Sequence, residues 1–187
     1  MRRSRLLDCA WLLVAGALAL GGCHETSDEG AREGGQRPDQ EIDGFTLTQT
    51  SDGKRLWSLR ADRALVYEEA DRVETIDIRV DFYDESGDVR STLTANEGLL
   101  LRRTNDMEAI GNVVVQASDG AVLSTEHLRW NEMSGRIETD LYVRVRRDDD
   151  VMTGVGLEAD PDLTNIRVKS EFHAYVRDDD GSLVEEK

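Results

Sequence analysis

From residue 44 onward the chain consists of short segments in which apolar and polar side chains alternate. The clearest segment alternates apolar residues with charged ones, in the order Ile76, Asp77, Ile78, Arg79, Val80, Asp81 and Phe82. A period of two puts one kind of side chain on each face of an extended strand, which predicts a half-buried β-strand. No segment beyond the first 22 residues has a convincing helical periodicity. The pattern therefore predicts an all-β domain.

Turn signals separate the strands at a spacing close to 16 residues, from "SDG" at 51 to "RDDDG" at 177. Strand pairs also form a longer repeat with a period near 30 residues, whose four copies begin "LRADRALVY", "LTANEGLL", "LSTEHLRW" and "GVGLEAD". One copy cannot bury its apolar face alone, so successive copies must stack around a shared interior.

The residues predicted to face that interior are Ile78, Val80, Phe82, Val113, Val115, Val143, Val145, Phe172 and Ala174. Arg144, between two of them, is predicted to face water. Aromatic residues are only 5% of the chain, which leaves room for a groove lined by aliphatic side chains. A tightly packed aliphatic core is the commoner outcome for such residue types. Trp57 and Trp130 fit either interpretation, as lipid contacts or as large pieces of a core.

The N-terminal segment is basic and then apolar, and it ends in "LGGC" at Cys23. Its apolar run, from about Leu6 to Leu20, is shorter than the roughly 20 residues of a membrane-spanning helix. We interpret residues 1–22 as a signal peptide. "LGGC" resembles the bacterial lipobox, which predicts a lipidated Cys23; an ordinary signal peptide with a chance cysteine is the alternative. Cys9 would leave with the signal, so no disulfide is expected.

Residues 23–43 are polar and rich in Gly, Glu and Asp, which predicts a flexible linker. The predicted domain spans residues 44–177, and an acidic tail covers 178–187. Loss of residues 1–22 removes three Arg and one Asp, so the formal charge changes from −16 to −18. Such a surface repels nucleic acid, and we expect no nucleic-acid partner.

No candidate catalytic or metal site emerges from the sequence. His24, His127 and His173 have no other His or Cys at the spacing of metal ligands. The "RDDDV" and "RDDDG" segments lack the alternating ligands and distal Glu of a calcium loop, which indicates charged turns. The motifs of serine hydrolases, zinc proteases, nucleotide-binding loops and dinucleotide-binding folds are absent. We predict no enzyme activity, no metal and no cofactor.

Several segments resemble the OstA-like family, and within it most closely the LptC group of membrane-anchored periplasmic members. They are "LWSLRADRALVY", "LTANEGLL", "EAIGNVVVQASDGAVLSTEHLRW", "GRIETDLYVRV" and "MTGVGLEAD", which together span about residues 44–176. The resemblance implies an antiparallel β-jelly roll that is open as a V-shaped groove. Its implied role is to take lipopolysaccharide, held by its acyl chains, from an inner-membrane Lpt ABC transporter to an LptA-like bridge protein.

Neighbours in such a bridge join through their edge strands, and a stack of strand pairs has two open edges. By this resemblance the partner edges are residues 44–49, with Gly44, Phe45 and Leu47, and residues 165–176, with Ile166, Val168 and Tyr175. The implied location is the periplasmic side of the inner membrane with a lipid anchor, and the outer membrane is the alternative location of the anchor. The alternative function is a membrane-tethered structural or protein-binding β-domain without lipid transfer.

Overall fold

The computed structural model describes residues 36–177 and 183–186. These residues form one antiparallel sheet of ten strands, in which each strand pairs with the next one along the chain. The strands are β1 Gln40–Ser51, β2 Lys54–Tyr67, β3 Arg72–Tyr83, β4 Val89–Leu101, β5 Met107–Ala117, β6 Val122–Asn131, β7 Arg136–Arg147, β8 Asp150–Ala159, β9 Ile166–Arg177 and β10 Leu183–Glu186.

Two of the predicted boundaries differ from those of the strands. β1 begins at Gln40, inside the segment predicted to be linker, because residues 40–43 pair with residues 63–66 of β2. β10 lies inside the segment predicted to be an acidic tail and pairs with Ala174–Arg177 of β9. The strands therefore extend beyond the alternating segments at both ends of the domain.

Tight turns join the strands into hairpins. The first hairpin turns through Asp52 and Gly53, which have φ values of 51° and 78°. A two-residue turn with both φ values positive matches the right-handed twist of the strands that it connects, and Asp followed by Gly suits it. The turn predicted from "SDG" at 51 is therefore present in the structure.

The pairing skips one or more residues near the middle of each of the nine long strands. One skipped residue of each strand defines what we call the bend line: Gly44, Asp62, Asp77, Asn96, Asn112, Glu126, Leu141, Gly156 and Glu171. Five of them have positive φ: Gly44, Asp77, Asn112, Gly156 and Glu171. Irregular positions of this kind bend a strand. Because they follow one another across the sheet, they fold it into two layers.

The two layers are defined by the hairpin ends that they carry. The first layer ends in the turns at residues 51–54, 83–89, 117–122 and 147–150, and the second in those at 67–72, 101–107, 131–136 and 159–166. Residues from both layers form one apolar cluster, which includes Leu59, Val80 and Leu123 of the first layer and Leu128 and Ile137 of the second. The core therefore lies between the layers.

The outer face of the first layer contains a buried carboxylate. The Asp81 side chain is 4% exposed and lies 2.8 Å from Arg60 Nη2 and 2.9 Å from Arg79 Nη2. The hydroxyl of Thr92 donates a third hydrogen bond to Asp81 at 2.8 Å. These contacts connect three neighbouring strands through their side chains, in addition to the backbone ladder.

Candidate functional site

The interior between the layers contains most of the side chains that were predicted to face inward. Ile78, Val80, Phe82, Val113, Val115, Val143 and Val145 are all buried, and Arg144 is exposed. Val143 is 0% exposed although both of its chain neighbours are exposed. The alternation thus identified the inner face of β3, β5 and β7.

Two of the predicted inward residues are placed differently. Phe172 is 41% exposed, and Ala174 is half-buried. Ala174 pairs with Met152, which packs against the core, so this part of β9 still presents Ala174 to the inner face. Phe172 lies two residues earlier, and in the described residues no strand pairs on its other side, because β10 pairs only with Ala174–Arg177. The inward position predicted for Phe172 thus gives an exposed side chain, because it lies at the open edge of the sheet.

The interior is nearly full. A cavity of about 20 Å³ lies within it and is lined by residues of both layers, among them Leu59, Leu93, Ala109 and Leu128. This is room for about one water molecule. An acyl chain can enter the interior only if the layers move apart.

A larger cavity of about 580 Å³ lies between the two rows of hairpin ends, and we call it the slit. The first layer contributes Lys54, Arg55, Leu56, Trp57, Phe82, Tyr83, Asp84, Glu85, Arg90, Ser118 and Asp119, and the second contributes Trp130, Glu132, Gly135, Asp162 and Thr164. Three of these residues, Trp57, Phe82 and Trp130, belong to the buried core and form the floor. The slit has the volume of a small-ligand site and an aromatic floor.

Charged side chains of both signs surround the slit. Lys54, Arg55 and Arg90 supply the cations, and the Arg55 guanidinium lies 4.1 Å from the centre of the Tyr83 ring. Five acidic residues line the same cavity: Asp84, Glu85, Asp119, Glu132 and Asp162. Because the acids outnumber the bases, the mouth of the slit is not a strongly cationic site.

Glu132 connects the two layers across the slit. Its Oε2 atom accepts a hydrogen bond from Trp57 Nε1 of the first layer at 3.1 Å and one from Trp130 Nε1 of the second at 2.9 Å. The backbone N–H of Glu132 donates to Asp106 Oδ1 at 2.9 Å, which fixes the start of this turn. Both indole N–H groups of the floor therefore share one carboxylate oxygen.

The loop between β8 and β9 closes the slit at its other end. Leu163 in this loop is 0% exposed, and its carbonyl accepts a hydrogen bond from Arg147 Nη2 of the first layer at 2.9 Å. Asp162 beside it lies 3.9 Å from Arg90. Burial acts to raise the pKa of Asp162, but hydrogen bonds from Thr164 and the Arg90 charge outweigh it and lower this pKa.

The two edges of the sheet contain the residues predicted to contact partners. On β1, Phe45 and Leu47 are half-buried against the core and line a cavity of about 360 Å³, whereas Gly44 is exposed. On β9, Ile166 and Val168 are half-buried, and in the described residues no strand pairs beyond them. Tyr175 lies where β10 pairs with β9, opposite Glu185.

Comparison with protein families identifies the chain. The model of the family described as "Lipopolysaccharide-assembly, LptC-related" matches residues 10–177.

The chain belongs to this LptC family.

Among solved structures, the chain is similar to LptH of Pseudomonas aeruginosa, described as the LptA-homologous periplasmic component of the lipopolysaccharide transport device. The match has a TM-score of 0.53 and 10% identity, and it covers 65% of this chain and 95% of LptH. The similarity confirms the predicted fold, an antiparallel β-jelly roll that does not close into a barrel. Among curated proteins, none matches the chain.

Several side chains of the site in this LptC family member were not identified from the sequence. Glu132 lies in the turn between β6 and β7, and Leu163 lies in "DPDLTN", between β8 and β9. A leucine inside a turn of otherwise polar residues indicates a buried side chain, and Leu163 is such a leucine. Glu132 has no such signal, because nothing in the sequence tells which turns face each other.

The described part of the chain has no helix with the length and apolar character needed to cross a membrane. Within the same residues, no group of three or more His, Cys, Asp or Glu side chains could hold a metal ion. His127 Nε2 lies 2.8 Å from Glu108 Oε2 on the outer face of the second layer. Cys23, the predicted lipidation site, lies outside the described residues.

Proposed function

We propose that this LptC family member is a membrane-anchored component of the bridge that carries lipopolysaccharide through the periplasm. It would receive lipopolysaccharide from an inner-membrane ABC transporter and pass it to the next β-jelly-roll protein. The observation that carries the proposal is a sheet folded into two layers around an aliphatic interior, in a chain of the lipopolysaccharide-assembly family. The role would be non-catalytic, and the transporter would supply the energy.

The acyl chains of lipopolysaccharide would pass between the two layers. Burial of each methylene group contributes about 0.8 kcal/mol, so a long chain can be held without any specific polar contact. Val80, Val115, Val143 and Val145 offer such a surface, because they are buried and lie on successive odd-numbered strands. Phe82 and Leu59 extend this surface towards the slit.

The sheet edges would join the protein to its neighbours. β1 would pair with the transporter through the segment that contains Gly44, Phe45 and Leu47. β9 would pair with the next bridge protein through Ile166 and Val168, while Tyr175 would become available only if β10 moved away. In the described residues, β1 and the first part of β9 each have one side without a paired strand. This supports the assignment, because such edges readily accept a strand from another chain.

A lipidated Cys23 would hold the domain at the inner membrane. Because β1 begins at Gln40, the linker would be residues 23–39, and it would let the domain stand off the bilayer by about 20–25 Å, from coil statistics for a chain of this length. Several acyl chains on one residue anchor a protein stably, whereas one myristoyl chain does so only transiently.

Photocrosslinking in cells tests this function. A photoreactive residue would be placed at Val143, which is buried, or at Arg144, which is exposed on the same strand. We expect lipopolysaccharide adducts at position 143 and none at 144. Adducts at neither position, in a protein shown to be folded, would contradict lipid passage through the interior.

One observation favours a second function, that of a membrane-tethered protein-binding domain. The interior cavity of about 20 Å³ is what a permanently packed core would have. In that case the edges would bind protein and the interior would only stabilise the fold. The absence of adducts at position 143, together with edge-dependent capture of the neighbouring bridge protein, would favour this second function.

A further inference from the structure

We propose that Glu132 is a latch that holds the two layers together at the slit, and that an acyl chain passes from the slit into the interior by separating Trp57 from Glu132. The inference rests on the proposed lipid transport. It adds the step that controls access to the interior and the residues that perform it.

The first argument is the position of the hydrogen bond between Trp57 and Glu132. Trp57 is on β2 in the first layer and Glu132 follows β6 in the second, and these two strands are not neighbours in the sheet. Their contact at 3.1 Å therefore joins the two layers at the floor of the slit. Any widening of the slit at this point must break it.

The second argument is the shared acceptor. Trp130 Nε1 donates to the same Glu132 Oε2 atom at 2.9 Å, but Trp130 lies two residues away in the same layer. This second bond orients the carboxylate and would survive when the layers separate. The two tryptophans therefore have different roles: Trp57 joins the two layers, and Trp130 positions the carboxylate.

The third argument compares the two cavities. The slit offers about 580 Å³ and the interior about 20 Å³. An acyl chain lying on Trp57, Phe82 and Trp130 fits the slit as it stands, but it cannot pass deeper while the layers remain together. Phe82 and Trp130 can replace their contact with each other by contacts with the methylene groups of the acyl chain, and both rings then stay buried. Trp57 must give up a charged hydrogen-bond partner, so its bond is the specific barrier.

The first experiment measures access without lipid. In the full chain, with Cys9 and Cys23 replaced by serine, Leu128→Cys provides one thiol at a buried position of the interior. We expect Glu132→Ala and Trp57→Phe to speed its labelling by a thiol reagent about tenfold, as for loss of a hydrogen bond to a charged group. Trp130→Phe is the matched comparison: it removes an N–H that positions the carboxylate but leaves the bond between the layers, so we expect a smaller increase than in Trp57→Phe. Equal rates for Trp57→Phe and Trp130→Phe would overturn the latch.

The second experiment measures lipid entry in cells, with the native cysteines retained. A photoreactive residue at Leu128 would report lipopolysaccharide in the interior, and we expect more adduct in Trp57→Phe than in Trp130→Phe. Glu138→Ala, on the outer face of the same layer, should leave the yield unchanged. Adducts of equal yield in all variants would contradict the latch but would leave the proposed lipid transport intact. Faster thiol labelling with no adduct in any variant would contradict lipid transport and leave the latch standing.

Discussion

Phe82 and Trp130 face each other across the interior, with their ring centroids 5.1 Å apart and their planes at 51°. Phe82 lies on β3 in the first layer and Trp130 on β6 in the second, so the backbone ladder does not connect them. A tilted pair at this distance adds favourable ring contact to the burial of both side chains. The pair therefore helps to hold the two layers together, beside the aliphatic contacts and the hydrogen bond from Trp57 to Glu132.

Replacing Phe82 with alanine should strongly destabilise the domain. Phe82 is 1% exposed, and truncation of a buried phenylalanine costs about 3–5 kcal/mol. The free energy of unfolding in urea measures the effect. Phe172→Ala is the control, because that ring is exposed and its loss should cost less than about 1 kcal/mol. A similar loss for both variants would contradict the assignment of Phe82 to the core.

The buried carboxylate of Asp81 gives a second stability prediction. Asp81→Ala removes the common acceptor for Arg60, Arg79 and Thr92. The two arginines are about half exposed and can be rehydrated, so we expect a loss of about 1.5–3 kcal/mol, the range for hydrogen bonds to a charged group. Asp62→Ala, an exposed aspartate on β2, should be nearly neutral in the same urea titration. A neutral Asp81→Ala would mean that the cluster contributes no net stability.

The sequence predicted the fold class and most of the inner face, because both depend on local alternation. Val113, Val115, Val143 and Val145 are each flanked by polar or half-buried residues on a regular stretch of strand, and all four are buried. Phe172 is exposed because it lies on β9 before the segment that β10 covers. A pattern of apolar and polar residues does not show which strand lies at the edge of the sheet, and it does not show where strands bulge, although Gly, Asp and Asn recur along the bend line.

The slit could not be predicted from the sequence. Trp57 and Glu132 are 75 residues apart and meet only because the bend line folds the sheet onto itself. Leu163 is covered for the same reason, since its turn folds back over the end of the interior. Contacts between layers depend on where each strand bends, and a two-residue period carries no information about that.

Gly154 on β8 should not tolerate a side chain. A Cβ atom there would overlap Val168 Cγ1 on β9 and lie 3.0 Å from the carbonyl oxygen of Ser170. We expect Gly154→Ala to cost about 1–3 kcal/mol through overpacking. Adding Val168→Ala removes the main clash, so the two changes together should cost less than the sum of the single ones. Urea unfolding of the four proteins measures this coupling, and strict additivity would show that Val168 is not the obstacle.

Asp162 should make the stability of the domain depend on pH in acid. Thr164 and Arg90 outweigh the effect of burial and lower its pKa in the folded protein, whereas an unfolded aspartate titrates near pH 3.9. The stabilisation is therefore fully present above about pH 4 and is lost as the pH falls through the lower folded pKa. Asp162→Asn should lose less stability than wild type between pH 5 and about pH 3. Asp148→Asn, in an exposed turn, should retain the wild-type dependence. If all three proteins lose the same stability, Asp162 does not form the contacts described at the slit.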